Sequence, residues 1–368
     1  MAVMGIKPKV LFILHYPPPI HGASMVGQFI KDSSLINNTF NCEYINLGTS
    51  RSVREIGIGG LRKWWRYLVI LFKTSKQLLN FRPDLIYITP TAAGPGFYKD
   101  AVVISLVKML GGQVVFHFHN KGVQSHQNFK LDNSLYHRVF KNSKVILLTK
   151  SLYNDIKKYV PEHQVYFCPN GLPDKMKGPT RKANPTVHIL FLSNLLLSKG
   201  IEVLLDALVL LKKQGHTFQC NIIGDEADWT GEYLRETIAE RDLSDLVTYK
   251  GKKYGAEKKL AYTNSDIFVL PTYEDCFPLV VLESMQFGLP VISTDEGGVP
   301  DIVLNNITGY IVSKKNSMAI AEKIAILLNN PALRKEMGQN GRLRYEMEFT
   351  LQSFEKKFVS ILNEILAG

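Results

Sequence analysis

Two carboxylates stand at the start of a predicted helix in the stretch 268–303, which reads FVLPTYEDCFPLVVLESMQFGLPVISTDEGGVPDIV. Asp275 lies in the turn after an apolar strand, and Glu283 follows it by just over two helical turns. We therefore expect the two side chains to share one face of a helix that begins at Pro278. Loops of this kind, at the carboxyl ends of parallel strands, bind anions and nucleotides. The alternative is an N-cap aspartate and a solvated glutamate, although Glu283 is surrounded by apolar residues.

A lysine stands at the start of a second predicted helix, which runs from Ile201 to Leu211 directly after a strand. Lys199 opposes the helix dipole at this position, which is unfavourable unless the lysine serves an anion. Asn194 belongs to the same turn and offers hydrogen bonds without a charge. The pattern predicts an anion-binding site in this turn.

Two histidines end the predicted strand from Gln113 to His119. We expect His117 and His119 to face opposite sides of the sheet, with His117 packed in the core. His119 would then lie at the carboxyl end of the strand, where a ligand is expected. An H-x-H pattern can also bind a metal ion, but no carboxylate partner is apparent in the sequence.

Strands and helices alternate along the 368 residues, a length sufficient for two domains. This rhythm predicts the α/β class, with parallel sheets covered by helices on both faces. Two such series, 1–174 and 186–348, flank a linker at 175–185 that is rich in Lys, Pro, Gly and Asn and lacks periodicity. The remaining segment, 349–368, contains an amphipathic helix.

Composition narrows the class of protein. The chain carries 44 Lys and Arg against 33 Asp and Glu, a net charge of +11, which suits anionic ligands or surfaces. No apolar run approaches the roughly 18 residues of a membrane span, and no signal peptide is recognisable. Four scattered cysteines without C-x-x-C predict neither a zinc site nor a disulfide framework. We expect a cytoplasmic protein.

Positive charge is concentrated in residues 51–82, which hold eight Lys and Arg against one acidic residue, Glu55. Trp64, Trp65 and Tyr67 are interspersed among them. Basic and interfacial aromatic residues on a helix predict contact with an anionic membrane surface, here the inner face of the cell membrane. The alternative is a solvated helix whose aromatic residues pack inward. Nucleic acid is not an expected partner, because no motif of a nucleic-acid-binding fold is present.

The stretch around Asp275 resembles the C-terminal signature of family-four retaining glycosyltransferases, which have the GT-B fold of two Rossmann-like domains facing across a cleft. D-x7-E, SMQFGLPVIST and GGVPDIV are similar to the family's E-x7-E, A-M-A-x-G-x-P-V-I and G-G-x-P-E. Asp275 replaces the first Glu, and Cys276-Phe277-Pro278 replaces the common Gly-Phe-Gly. Lys199-Gly200 matches the family's R-x4-K-G, with Asn194 at the Arg position.

Weaker matches extend the resemblance over nearly the whole chain. His21-Gly22 takes the place of Gly-Gly in the family's P-P-x-x-G-G loop, and His119 matches its V-V-x-x-H. Gly224 and Gly251 match I-x-G-x-G and V-x-F-x-G, which lie beside the nucleotide in the family.

The resemblance implies retaining transfer of a sugar from a nucleotide sugar, preferably a UDP-sugar, to an acceptor hydroxyl. The clustering of positive charge and tryptophan in residues 51–82 favours an acceptor that is a lipid-linked or cell-surface glycan intermediate. The resemblance also implies catalytic roles for His119, Lys199 and Asp275. His119 and Asp275 would contact the donor sugar, and Lys199 would stabilise the departing diphosphate. The implied substrate-binding residues are Gly22, Asn194, Gly224, Gly251, Phe277, Pro278, Leu279, Glu283 and Gly298.

The absence of a D-x-D motif predicts transfer without a metal ion, and no other cofactor is expected. In GT-B proteins the terminal helix crosses back to the first domain, which we expect of residues 349–368. Two alternatives stay open. One is a nucleotide-sugar epimerase on the same fold, and the other is a non-catalytic partner that binds a nucleotide sugar or a membrane.

Overall fold

The computed structural model describes residues 7–19, 22–50, 60–176 and 185–368. Contacts between residues divide the chain into unit 1, Met1–Gly171 with Leu351–Gly368, and unit 2, Leu172–Thr350. His21, residues 51–59 of the basic segment and residues 177–184 of the predicted linker lie outside the described residues.

Unit 1 is built on a parallel sheet. Its described strands are β1 (Lys9–Leu14), β2 (Asn41–Asn46), β3 (Leu85–Ile88), β4 (Val114–Phe118), β5 (Lys144–Leu147) and β6 (Val165–Phe167). They lie side by side in the order β2-β1-β3-β4-β5-β6. Every residue of β3 and β4 is buried, because a parallel sheet is covered by helices on both faces.

The helices of unit 1 that precede unit 2 in the chain are α1 (Gly22–Asp32), α2 (Ser34–Thr39), α3 (Leu61–Asn80), α4 (Gly94–Met109), α5 (Val123–His126), α6 (Lys130–Phe140) and α7 (Tyr153–Ile156). α4 begins four residues before Tyr98, where the sequence placed its start. The reason is that Pro95 lies in its first turn, where a missing N–H costs nothing.

Unit 2 repeats this architecture. Its described strands are β7 (His188–Leu192), β8 (Gln219–Ile223), β9 (Val247–Tyr249), β10 (Ile267–Leu270), β11 (Val291–Thr294) and β12 (Gly309–Val312). Its helices are α8 (Ile201–Lys213), α9 (Gly231–Glu240), α10 (Gly255–Thr263), α11 (Leu279–Gln286), α12 (Val299–Ile302), α13 (Ser317–Asn329) and α14 (Pro331–Glu348). The predicted α/β class is confirmed, since each unit is a parallel sheet with helices.

The strands of unit 2 are ordered β12-β11-β10-β7-β8-β9. From β7 the chain continues to β8 on one side, and it later returns to β10 on the other side. The β7–β10 pair is therefore a topological switch point, where the loops at the carboxyl ends of the strands diverge and ligands bind. The loop after β7 contains Lys199, and the loop after β10 contains Asp275.

The last helix, α15 (Leu351–Ala367), follows unit 2 in the chain and packs on unit 1. Its buried face includes Phe358, whose ring centre lies 5.2 Å from that of Tyr87 and 6.4 Å from that of Phe12. Its amphipathic character is confirmed. The carbonyl of Ile365, near the helix end, accepts a hydrogen bond from the side chain of Gln113 at 3.2 Å.

None of the helices in the described parts of the chain combines the length and the apolar content that crossing a bilayer requires.

Candidate functional site

An ion pair joins the two loops at the switch point of unit 2. The ammonium of Lys199 lies 2.7 Å from Oδ2 of Asp275 and donates a second hydrogen bond, at 2.8 Å, to the carbonyl of Glu274. The two side chains are only 18% and 19% exposed, so water screens their attraction less than at an open surface. The sequence singled out both residues but did not predict that they pair.

Backbone contacts hold the two loops together around this pair. The amide of Tyr273 donates to the carbonyl of Ser198 at 2.8 Å, and the hydroxyl of Thr272 donates to the same carbonyl at 3.1 Å. Gly200 has a φ of +76°, and a Cβ there would stand 2.0 Å from the carbonyl oxygen of Pro271. Only glycine permits this approach.

The loop after β11 lies against the Asp275 segment from the other side. The carboxylate of Glu296 accepts a hydrogen bond from the Asp275 amide at 3.1 Å, and the amide of Gly298 donates to the carbonyl of Cys276 at 2.8 Å. Gly298 is one of the substrate-binding residues that the resemblance implies. Because that amide donates within the loop, it is not offered to a ligand.

Glu296 is a buried carboxylate that sequence reasoning missed. Its Oε2 pairs with the ammonium of Lys314 at 2.9 Å, and this hydrogen bond raises the pKa of Lys314. A buried charge requires such a partner. The only signal in the sequence was an acidic residue directly before the Gly297-Gly298 pair, and its partner lies beyond the next strand.

Helix α11 begins one residue later than predicted. Pro278 is its N-cap, and Leu279 is the first helical residue. Asp275 therefore lies in the preceding loop, and the prediction that it shares a helix face with Glu283 is wrong. The two carboxylates have different partners. Gly288 has a φ of +66° just beyond the helix end, a conformation typical of a C-capping glycine.

Glu283 lies in a buried network and not in solvent. Its Oε2 accepts a hydrogen bond from the hydroxyl of Tyr262 at 2.9 Å and pairs with the ammonium of Lys258 at 2.6 Å. Burial, and then the charge of Glu283, raise the pKa of Tyr262 well above its ordinary value. Lys175 lies 3.9 Å from Oε1. The alternative of a solvated helix glutamate is excluded by these contacts.

Two of the remaining predicted residues, Phe277 and Leu279, flank Pro278. The ring of Phe277 is buried and packs on Phe349 with their centres 6.3 Å apart. Its side chain is therefore part of the core of unit 2, and only its backbone is suited to meet a ligand. Leu279 opens α11, where the first amides of a helix lack intrahelical partners.

The glycine loops after β8 and β9 meet the loop after β7. The amide of Gly224 donates to the carbonyl of Gly251 at 3.1 Å. A Cβ at Gly224 would stand 1.7 Å from the carbonyl oxygen of Ser193 and 3.3 Å from Cα of Asn194. The structure thus brings Asn194, Gly224 and Gly251 together at the carboxyl edge of the sheet.

Unit 1 contains the other two predicted residues, His119 and Gly22. The rings of His117 and His119 lie 4.2 Å apart, so they are on the same side of the sheet. The prediction of opposite sides is wrong, because alternation places residues two apart in a strand on one face. Gly22 is the first residue of α1 and is exposed to solvent.

His117 is a core residue, as expected. It is fully buried, and its Nδ1 shares a hydrogen bond with the hydroxyl of Tyr87 at 2.8 Å. Burial, and then the neighbouring His119, lower the pKa of His117 well below its usual range, so the ring stays neutral. Among the described residues, no group of three or more His, Cys, Asp or Glu side chains is placed to hold a metal ion.

Loops that meet at the switch point of a parallel sheet and lead into helix N-termini are where α/β proteins bind nucleotides and other anions. Residues 174–344, nearly all of unit 2, match the model of the family Glycosyl transferases group 1. This match confirms the resemblance to GT-B glycosyltransferases that was drawn from the sequence.

Two curated relatives have names that refer to polysaccharide synthesis. The chain is 27% identical over 269 residues to the amylovoran biosynthesis glycosyltransferase AmsK of Erwinia amylovora, covering 70% of this chain and 66% of AmsK. It is 30% identical over 194 residues to the capsular polysaccharide biosynthesis glycosyltransferase CapM of Staphylococcus aureus, covering 50% of this chain and 47% of CapM. The chain thus spans less than two thirds of the length of either relative.

The fold is similar to that of Anabaena Alr3699/HepE, whose crystal structure is a complex with UDP. The TM-score is 0.74 at 16% identity, and the match covers 97% of this chain and 100% of that one. At this identity the likeness shows the fold alone, which is GT-B.

The close approach of the loops makes a prediction about Gly297. Its φ is +53°, and a Cβ there would stand 2.2 Å from the carbonyl oxygen of Asp275. Gly297→Ala should lower the free energy of unfolding by roughly 2–5 kcal/mol, from left-handed strain plus a displaced loop. Chemical denaturation measures the change.

Gly215→Ala is the matched control. Gly215 has a φ of +80° with open space around its Cβ position, so this variant bears the strain alone, about 1–2 kcal/mol. Equal losses in the two variants would contradict the tight contact between Gly297 and the Asp275 loop.

Proposed function

We propose that this protein transfers a sugar from a nucleotide sugar to an acceptor hydroxyl, and that unit 2 binds the donor. The observation that carries the proposal is the Lys199–Asp275 ion pair at the switch point, within the part of the chain that matches the glycosyltransferase family. An ammonium there suits a diphosphate, and a carboxylate suits the hydroxyls of a sugar.

In this proposal, different residues of unit 2 contact different parts of the donor. Lys199 stabilises the negative charge on the departing diphosphate, together with the amides of Phe277 and Leu279 at the start of α11. Glu283, held by Tyr262 and Lys258, accepts hydrogen bonds from the ribose hydroxyls. Asp275 accepts hydrogen bonds from the sugar.

The loops on the other side of the switch point contact the rest of the nucleotide. Asn194 donates a hydrogen bond to the diphosphate at a position where the family carries a charged Arg. Gly224 and Gly251 let the backbone approach the nucleoside closely, because neither has a side chain in the way. Pro278 contributes its shape at the helix start, since it has no N–H to donate.

We further propose a UDP-sugar donor, retention of configuration and independence from metal ions. The UDP in the HepE complex supports the choice of base. In a retaining front-face transfer, the bond from the anomeric carbon to the phosphate oxygen breaks, and the bond to the acceptor oxygen forms on the same face. The acceptor proton passes to the departing phosphate oxygen, so no side chain needs to be a strong base.

Unit 1 supplies the acceptor side in this proposal, through His119 and the loop that ends at Gly22. The acceptor is a glycan, carried on a lipid or destined for the cell surface. The names of AmsK and CapM, which refer to exopolysaccharide and capsule synthesis, support this assignment.

We also propose that helix α3 rests on the cytoplasmic face of an anionic membrane. Trp64 and Trp65 are 65% and 69% exposed, whereas Tyr67 is buried. Of these three aromatic residues, only the tyrosine packs inward. Leu61 and Phe72 extend the same exposed stripe. Five Lys and Arg and no acidic residue accompany it along the helix, and each basic residue near such a surface contributes about 1 kcal/mol.

The donor site is tested by calorimetric titration with UDP and with GDP, first without metal and then with magnesium. We expect saturable binding of UDP that does not need magnesium. Lys199→Ala and Asp275→Ala should each reduce sugar transfer from UDP-sugars by at least about 100-fold, the scale of a lost stabilising group in a transition state.

Each alternative function has its own outcome in these assays. Binding of UDP without transfer to any acceptor would favour the non-catalytic partner, for which the Asn194 and Asp275 departures are the specific observations. Conversion of the donor without an acceptor would identify an epimerase. Unchanged transfer by both alanine variants would remove the site assignment.

The membrane proposal is tested by sedimentation with vesicles that contain a fifth or more of anionic phospholipid, at low salt. Trp64→Gln/Trp65→Gln should cut the bound fraction severalfold, because the two rings supply much of the apolar stripe. Met318→Gln/Leu343→Gln removes two exposed apolar residues of unit 2 and should leave binding unchanged. Failure of the wild-type protein to pellet would refute the proposal.

A further inference from the structure

The ion pair at the switch point limits the charge that unit 2 offers to a phosphate. A lysine ammonium has three N–H donors, and Lys199 uses two of them on the Asp275 carboxylate and the Glu274 carbonyl. The negative charge of Asp275 offsets the positive charge of Lys199. Asn194, where the family carries Arg, adds no charge to compensate.

Asp275 is held in this position by its own backbone. Its amide donates to the buried carboxylate of Glu296, which is in turn paired with Lys314. The next carbonyl, that of Cys276, accepts the amide of Gly298, and the approach of Gly297 leaves no room beside the Asp275 carbonyl. A ligand that binds to Lys199 therefore meets a carboxylate that is fixed a hydrogen bond's length away.

We propose that Asp275 opposes the binding of free nucleoside diphosphate and so promotes release of the leaving group after transfer. This inference rests on the proposed function, since it concerns the same donor site. In the donor, the oxygen of the terminal phosphate is bonded to the sugar, whose hydroxyls donate hydrogen bonds to the carboxylate. After transfer that oxygen holds the acceptor's proton, and once this proton is lost to solvent the oxygen carries charge and faces the carboxylate without those donors.

The magnitude of the repulsion follows from Coulomb's law. Two like charges a few ångströms apart in a half-buried site interact by a few kcal/mol before solvent relaxation. Much of this is offset, because removing the Asp275 charge also loosens Lys199. We therefore expect removal of this one charge to raise the affinity for UDP by roughly fivefold.

The test compares Asp275→Asn with the wild-type protein by calorimetric titration with UDP and with UMP. Asparagine keeps the volume of the side chain and an oxygen that can accept from Lys199, but it removes the charge. We expect the variant to bind UDP about fivefold more tightly. UMP lacks the terminal phosphate, so its affinity should change by less than about twofold.

Asp245→Asn is the matched control. Asp245 pairs with Lys212 at 2.9 Å, but Lys212 is near the far end of α8, roughly 18 Å along the helix from Lys199. This variant changes the net charge by the same amount in the same unit and should leave both affinities as they are. Asp275→Glu, which retains the charge, should bind UDP no more tightly than the wild-type protein.

The possible results distinguish failure of the inference from failure of the proposed function. UDP binding by Asp275→Asn that is equal to or weaker than wild type, with an unchanged unfolding midpoint, overturns the inference and leaves the donor site intact. If Asp275→Asn has a lowered unfolding midpoint, Asp275→Glu provides the test instead. Tighter binding of UDP by Asp275→Glu than by the wild-type protein then overturns the inference. Absence of UDP binding in the wild-type protein and every variant overturns the proposed UDP site itself.

Discussion

The pairing of Lys199 with Asp275 joins the loop after β7 to the loop after β10, across the switch point of the unit 2 sheet. An isolated charge at this half-buried position would be costly, so the loops must keep both partners in place. Glycines make that possible, because Gly200 and Gly297 allow backbone approaches that any Cβ would block. The Asp275 amide donates to the carboxylate of Glu296, which is paired in turn with Lys314. The geometry of the site thus depends on backbone contact as much as on the charged side chains themselves.

The two units carry different side chains at the carboxyl edges of similar sheets. In unit 2 the carboxyl edge of the sheet carries charged side chains with partners, namely the Lys199–Asp275 pair and the Glu283 network. In unit 1 the corresponding edge carries His119, whose ring lies beside that of the buried, neutral His117. Unit 1 adds a basic helix with two exposed tryptophans, a feature that unit 2 lacks in its described part. This division fits a donor site in one unit and acceptor recruitment from a surface in the other.

Much of the fold could be predicted from sequence, because buried parallel strands are apolar runs bounded by turns. The candidate residues of unit 2 were also identified, since they belong to a motif. The Lys199–Asp275 pair was not predicted, because the two residues are far apart in the chain and meet only when β7 and β10 become neighbours. Glu296 was missed for the same reason, as its partner Lys314 follows the next strand. The tryptophans of α3 could be placed on a helix but not assigned to its inner or outer face without the neighbouring helix.

A crystal structure of the protein with UDP tests the central claim most directly, because it reports the position of each part of the nucleotide. The account predicts the diphosphate beside the Lys199 ammonium and the start of α11, and the ribose hydroxyls on the Glu283 carboxylate. The terminal phosphate should lie close to Asp275. UDP bound elsewhere in unit 2, for example between Lys250, Lys253 and α10, or a diphosphate that leaves the Lys199–Asp275 pair untouched, would contradict the account.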